Sequence, residues 1–172
     1  YQVMPTHSFT HFFENLLDHP NIEVKLGVEA LDHLYISGQK LFVDDQEVNY
    51  PVVYTGALDE LFECRFGRLP YRSLRFEWKY EEIDSLQEAP VVAYPQEAGF
   101  TRITEYKKLP VQDRKGTSYA VEYPLPYQEG ETQEPYYPVL TEESQQQYTK
   151  YQELAKQVQN LICCGRLADF KY

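Results

Sequence analysis

The sequence predicts an α+β fold: a mostly antiparallel sheet of about five or six strands flanked by two main helices. Three observations predict it. Period-two alternation runs through residues 71–125, with turn residues between the runs. A 3.6-residue apolar period appears in only two long stretches, one towards each end. Two short apolar runs, 51–56 and 160–165, break the alternation and stop on glycine, as strands at the edge of an α/β layer do.

Residues 8–18 read as the first helix. Phe9, Phe12, Phe13, Leu16 and Leu17 fall on one face, Thr6 or Ser8 can cap the start, and Pro20 closes the region. Ile22, Val24 and Leu26 alternate with polar residues and predict a strand. Residues 31–50 suit a short hairpin with turns at Ser37-Gly38 and Asp44-Asp45. Pro51-Val52-Val53-Tyr54-Thr55-Gly56 predicts a strand buried on both faces and ending at a tight turn. A short helix is expected over 58–66.

From Tyr71 onward Arg72, Leu74, Phe76, Trp78 and Tyr80 form one face, and Ser73, Arg75, Glu77, Lys79 and Glu81 the other. Strands over 90–94, 101–108 and 117–125 follow, separated by turns at 96–99 and 113–116, as in an antiparallel meander. Beyond a proline-rich crossing, a helix spans 141–159. Thr141 with Ser144 caps it, and Tyr148, Tyr151, Leu154, Ala155 and Val158 make its inner face. Residues 160–164 form a last buried strand.

The composition excludes several classes. A chain of 172 residues fits one domain, or one domain plus part of another. Its net charge of -11 argues against a nucleic-acid partner, because counterion release needs a basic face. No apolar run reaches the ~20 residues of a membrane helix, and no signal peptide opens the chain; no membrane partner is expected. Cys64, Cys163 and Cys164 cannot build a disulfide framework and suit a cytoplasmic location. The chain opens at Tyr1 without an initiator Met and stops at Tyr172 inside a patterned segment, so the expectation is a piece of a longer protein.

The common nucleotide and zinc signatures are absent: no G-x-G-x-x-G, P-loop, C-x-x-C or H-E-x-x-H occurs. His7 and His11 could offer two metal ligands, but no third follows at a sensible spacing, so no metal site is expected. Arg65, Arg68, Arg72 and Arg75 cluster within eleven residues. Arg72, on the apolar face, must find an anion or carbonyls. Pattern favours a core ion pair there over a phosphate contact. Arg102 shares a face with Thr104 and Tyr106, and Glu122 shares one with Ala120 and Pro124. If the two faces coincide, they make either a polar ligand floor for a sugar or base, or a solvated face, which pattern alone favours.

Taken together, five stretches resemble bacterial UDP-galactopyranose mutases in order and spacing. They are PVVYTGALD at 51–59, RFGRLPYRSLRF at 65–76, FTRITEYK at 100–107, EPYYP at 134–138 and GRLADFKY at 165–172. The opening YQVMP at 1–5 and Phe9-Thr10 resemble the family's segment just after its mobile loop.

The resemblance implies a flavoenzyme, an isomerase that interconverts UDP-galactopyranose and UDP-galactofuranose for cell-surface galactofuranose synthesis. In that family reduced FAD acts through N5 as the nucleophile on the anomeric carbon and UDP is expelled. Carried over by motif, the substrate-binding residues are Arg102, Tyr137, Tyr172 and Glu122, and the cofactor-binding residues are Thr55, Gly56, Arg72 and Arg166. The resemblance thus reverses the pattern reading of Arg72. Residues 1–56 are expected to form an edge segment of the FAD-binding domain, 57–140 the antiparallel sheet domain, and 141–172 a helix and strand returning to the FAD-binding domain.

UDP-galactose is the partner implied, with a homodimeric parent as a further expectation. The FAD fingerprint lies outside these residues, so the piece alone is expected neither to bind FAD nor to turn over. Two other readings stay open: a non-catalytic sugar-nucleotide-binding or interaction module of the same fold, and an amine-oxidase-like flavoprotein.

Overall fold

A computed structural model describes residues 4–97, 99–128 and 133–172. Tyr1, Gln2 and Val3 of the opening motif, and Ala98 of the 96–99 turn, lie outside the described residues. The chain divides into two compact units. One takes the chain up to Gly27 together with Arg75–Pro124; the other takes Val28–Leu74 and Leu125–Tyr172.

In the second unit, strands β1 (Leu34–Ser37), β2 (Lys40–Val43) and β3 (Gln46–Glu47) form an antiparallel sheet, order β1-β2-β3. Its tight turns fall at the predicted places, with Asp44 and Asp45 both at positive φ (50° and 62°), which short polar side chains tolerate. Strand β4 (Val52–Tyr54) pairs in parallel with β10 (Leu161–Cys163), in register Val52–Leu161, Val53–Ile162 and Tyr54–Cys163. The expectations of a strand buried on both faces at 51–56 and of a buried strand at 160–164 are corrected: Val53 is 59% exposed and Ile162 is exposed beside it. Only the Tyr54 face of this two-stranded sheet is covered by described residues.

Helix α2 (Leu58–Leu61) stops far short of residue 66. Asp59 turns the chain back: its carbonyl accepts from the N–H groups of Phe62 and Cys64, and its buried carboxylate accepts from Leu69 N–H at 2.9 Å. Glu63 and Cys64 then adopt positive φ, which ends the helix. Helix α3 (Glu142–Ala155) starts on the predicted capping box, with the Ser144 N–H donating to Thr141 Oγ1 and the Thr141 N–H donating to Ser144 Oγ. Tyr148, Tyr151, Ala155 and Val158 enter the core with Leu58, Leu61, Phe62, Leu69, Tyr71 and Phe170. Each buried Leu, Val or Phe among them contributes about 1.5–3 kcal/mol.

A five-stranded sheet of order β6-β7-β8-β5-β9 completes the predicted α+β class. It comprises β5 (Tyr71–Glu81), β6 (Val91–Ala93), β7 (Arg102–Glu105), β8 (Thr117–Pro126) and β9 (Tyr137–Pro138). The β6-β7-β8 meander is antiparallel, as is the β5–β9 pair. The face assignment at the start of β5 is corrected. Tyr71 and Ser73 are buried and Arg72 is exposed, because the Tyr71 ring packs edge-on against Phe170 and Tyr127 and sets the inward parity.

In the first unit, Glu105 is fully buried and holds residues 86–87 onto the meander. It accepts from the N–H groups of Leu86 (3.0 Å) and Gln87 (3.2 Å) and from the Thr117 hydroxyl (2.8 Å), and it pairs with Lys108 (3.3 Å). Helix α1 (Phe9–Leu17) forms as read, with Ser8 as its cap, and its apolar side chains are exposed. The strand expected at 22–26 does not form: Ile22, Val24 and Leu26 are exposed and have no neighbouring strand among the described residues.

Candidate functional site

Two clusters collect the site residues read from the sequence, one in each unit. In the first, the β7–β8 register sets Arg102 opposite Glu122 and Thr104 opposite Ala120, so the two faces coincide. Arg102 Nε lies 3.2 Å from Glu122 Oε2, and the Thr104 hydroxyl donates to Glu122 Oε1 at 3.1 Å. The side chain of Glu122 is only 9% exposed, whereas that of Arg102 is 42% exposed. A buried carboxylate thus anchors a guanidinium that remains open to solvent, an arrangement suited to receiving an anion. Next along the face, Tyr106 has its phenol pushed up by burial and by the Glu122 charge, so it stays protonated as a donor.

The second cluster grows from GRLADFKY. Ala168 and Phe170 are buried, and Phe170 packs against both Tyr71 and Tyr148, each with ring centroids 5.5 Å away. The Tyr71 hydroxyl donates to Leu167 O (3.3 Å) and that of Tyr148 to Ala168 O (3.1 Å). Burial pushes both phenols up, Tyr71 strongly, so these hydroxyls act as fixed donors. With the segment pinned from inside, Arg166 and Tyr172 are left exposed.

The Arg166 guanidinium carbon sits 4.8 Å from the Tyr137 ring centroid and 5.9 Å from that of Tyr172. The two rings stack at 5.9 Å, and Arg166 Nη1 donates to Tyr136 O at 3.3 Å. Arg72 is the register partner of Tyr137 across β5 and β9, and its side chain has no partner among the described residues. The core ion pair that pattern favoured for Arg72 is therefore absent; the side chain is exposed beside Tyr137. Arg72 and Arg166 thus both flank Tyr137, the first by strand register and the second over its ring.

Thr55 and Gly56 follow directly on β4, and Cys164 follows on β10. The Cys164 N–H donates to Tyr54 O (3.1 Å), so the carboxyl ends of the two parallel strands lie side by side. Gly56 lies against the Tyr54 ring, where a Cβ would come within 2.7 Å of the ring carbon bearing the hydroxyl. Thr104, which strand parity already places on the face of Arg102, joins the site as the donor to Glu122. Tyr136 is the residue that sequence reasoning missed: it acts through its carbonyl, which no sequence pattern reveals.

Elsewhere, His7 and His11 contact each other edge-to-face, with His11 3.7 Å from Glu14. Among the described residues no group of three or more His, Cys, Asp or Glu could hold a metal ion, and no helix is long and apolar enough to cross a membrane.

Comparison with known proteins identifies the relatives of this arrangement. The family description "UDP-galactopyranose mutase" matches residues 1–172. The chain is 35% identical to the UDP-galactopyranose mutase of Mycoplasma pneumoniae over 175 residues, which is 99% of this chain and 44% of that protein. It is 36% identical to the Mycoplasma genitalium enzyme of the same name, over 99% of this chain and 43% of that protein. It is also 33% identical to the dTDP-fucopyranose mutase of Escherichia coli, over 100% of this chain and 44% of that protein. The chain therefore spans less than half the length of the curated relatives it matches.

Proposed function

Because the chain belongs to the UDP-galactopyranose mutase family, we propose that it forms part of a flavin-dependent isomerase that interconverts UDP-galactopyranose and UDP-galactofuranose. The observation that carries the reading is the exposed Arg166 guanidinium over the Tyr137 and Tyr172 rings, with Arg72 in register with Tyr137. The two guanidiniums suit an anionic dinucleotide cofactor and the two phenols a hydroxyl-rich sugar beside it.

The residues at the ends of the parallel strands also fit FAD. Paired parallel-strand ends carrying Thr55, Gly56 and Arg166 offer a hydroxyl, backbone N–H groups and a guanidinium to an anionic dinucleotide. Bound in its reduced form, FAD supplies the nucleophile that lets the sugar exchange one ring size for the other. In this reading Arg102 holds the sugar nucleotide's diphosphate and steadies its charge as the glycosidic bond weakens. Glu122, with both oxygens engaged, acts as a positioning residue for Arg102, and Thr104 fixes Glu122. Tyr137 and Tyr172 would contact the sugar nucleotide, and Arg166, which lies over both rings, the cofactor.

Residues 1–56 and 141–172 would serve the FAD-binding domain and 57–140 the sheet domain. The relatives divide on both the nucleotide, uridine or thymidine, and the sugar, galactose or fucose. The test is to incubate the full-length protein, reduced with dithionite, with UDP-galactopyranose and separately with dTDP-fucopyranose, and to resolve the products. Conversion of the first to its furanose form supports the reading. Conversion of the second alone would reassign the substrate, and conversion of neither by flavin-loaded protein would refute the mutase activity.

A further inference from the structure

The connection between β7 and β8 reverses the charge of the protein. From Tyr106 to Lys115 it carries Lys107, Lys108, Arg114 and Lys115 against one acid, Asp113, in a chain of net charge -11. It is also a built loop. The Tyr106 N–H donates to Ser118 O (2.9 Å), the Leu109 N–H to Tyr106 O (3.0 Å) and the Gln112 N–H to Lys107 O (2.8 Å), and Lys108 bridges Val111. Lys108 is engaged by Glu105, and Lys107 by Asp84 at 2.8 Å. Arg114 and Lys115 have no ion-pair partner among the described residues.

These cations open onto a groove of about 400 Å³ lined by Tyr80, Tyr106, Lys107, Arg114, Lys115 and Ser118. Beside it Trp78 stacks on Tyr106, ring centroids 5.4 Å apart, and is 66% exposed. Tyr80 lies over Gly116, whose φ is +73° and where a Cβ would overlap the Tyr80 ring and hydroxyl. Only glycine admits this wall of the groove.

An exposed tryptophan and two tyrosines next to unpaired cations match a ligand with a flat ring at one end and negative charge at the other. We propose that this groove is a second anion site that binds a nucleoside phosphate, with Arg114 and Lys115 on the phosphate and Trp78, Tyr80 and Tyr106 against the base. Tyr106 also borders the Arg102–Glu122 cluster; the other groove residues have no part in the mutase reading, and the proposal does not rest on it. A fork-shaped guanidinium beside a flexible ammonium suits a terminal phosphate or diphosphate; aromatic stacking accepts any base, and Gln112 and Ser118, which also line the groove, can meet a base edge.

Trp78 is the single tryptophan of the chain, so its fluorescence reports on the groove. The experiment titrates the 172-residue chain with UDP, pyrophosphate and uridine in turn. Saturable quenching by UDP is expected, about tenfold tighter than by pyrophosphate or uridine. The Arg114→Glu, Lys115→Glu double variant should weaken UDP by at least about tenfold, while Arg102→Ala leaves the Trp78-reported affinity within about threefold. Calorimetry on the full-length protein counts UDP sites: two are expected, of which Arg102→Ala weakens one and the Arg114→Glu, Lys115→Glu double variant the other. Absence of saturable Trp78 quenching by UDP together with a single UDP site in the full-length protein overturns the proposal. So does pyrophosphate quenching as tightly as UDP, or a loss of Trp78-reported affinity caused by Arg102→Ala and not by the double variant. A failed mutase assay leaves these outcomes unchanged.

Discussion

Arg102→Ala removes a guanidinium that the sheet holds on a buried carboxylate, and its effect can be sized from the geometry. Truncating one partner of a desolvated, charge-assisted contact costs ~2–5 kcal/mol. At 42% exposure the Arg102 side chain is only partly dried, which places the binding loss at the lower end, about 2–3 kcal/mol. That corresponds to ~30–150-fold in UDP affinity, at 1.4 kcal/mol per tenfold. Stability should fall as well, because Glu122 keeps only the Thr104 hydroxyl; discounted for the exposure of Arg102, this amounts to about 1–2 kcal/mol.

Arg102→Lys retains the charge and the approach to Glu122 but loses the planar fork, so it should cost about 1 kcal/mol of affinity with little loss of stability. The assay is calorimetric titration of UDP into reduced full-length protein, with thermal melts of each variant. An Arg102→Ala protein that melts as expected yet binds UDP within threefold of wild type would refute the phosphate assignment. The guanidinium would then be a surface partner of Glu122 and nothing more.

Three other outcomes are expected. Burial pushes the Glu105 carboxyl up, but the Leu86 N–H, the Thr117 hydroxyl, the Gln87 N–H and Lys108 outweigh it and hold the group below its ordinary 4.5. Its stabilisation is therefore complete above about pH 4.5 and lost as pH falls through the folded-state value; Glu105→Gln should flatten that acid limb in pH-dependent melts and lower stability at neutral pH by about 1–3 kcal/mol. Asp59 behaves oppositely: burial raises its carboxyl above 3.8, and Oδ1 has no hydrogen-bond partner. Its contribution is full at low pH and lost as pH rises through the raised value, so Asp59→Asn should stay within about 1 kcal/mol of wild type at pH 7 and lose the relative gain in acid. Tyr172, 70% exposed, should be replaceable by Ala with a stability change under about 0.5 kcal/mol, while UDP or flavin affinity measured by titration drops several-fold.

Much of this architecture was legible because local chemistry and tertiary packing agree. The Thr141–Ser144 capping box, the period-two run from Tyr71 and the turns at Gly38 and Asp44-Asp45 all appear where their residue types require them. Arg102 and Glu122 could be placed on like-facing strands by parity, but only the register shows them to be opposite each other. What failed to show was set by distant partners. Asp59 cut α2 to one turn by bonding a backbone group ten residues away. The parity of Arg72 was decided by packing of Tyr71 on Phe170, which lies almost a hundred residues along the chain. Val53 and Ile162 have the composition of doubly buried strands, yet the described residues cover one face only. The 22–26 alternation predicts a strand, and alternation alone cannot supply a neighbour for it to bond to.

The most direct test is the redox dependence of ring interconversion by the full-length protein. UDP-galactofuranose is supplied to protein with bound FAD, once oxidised and once reduced with dithionite, and UDP-galactopyranose is followed by chromatography. The account predicts conversion by the reduced protein, essentially none by the oxidised protein, and a marked loss in the reduced Arg102→Ala variant. Equal turnover in both redox states, or none from reduced, flavin-loaded wild type, would contradict it.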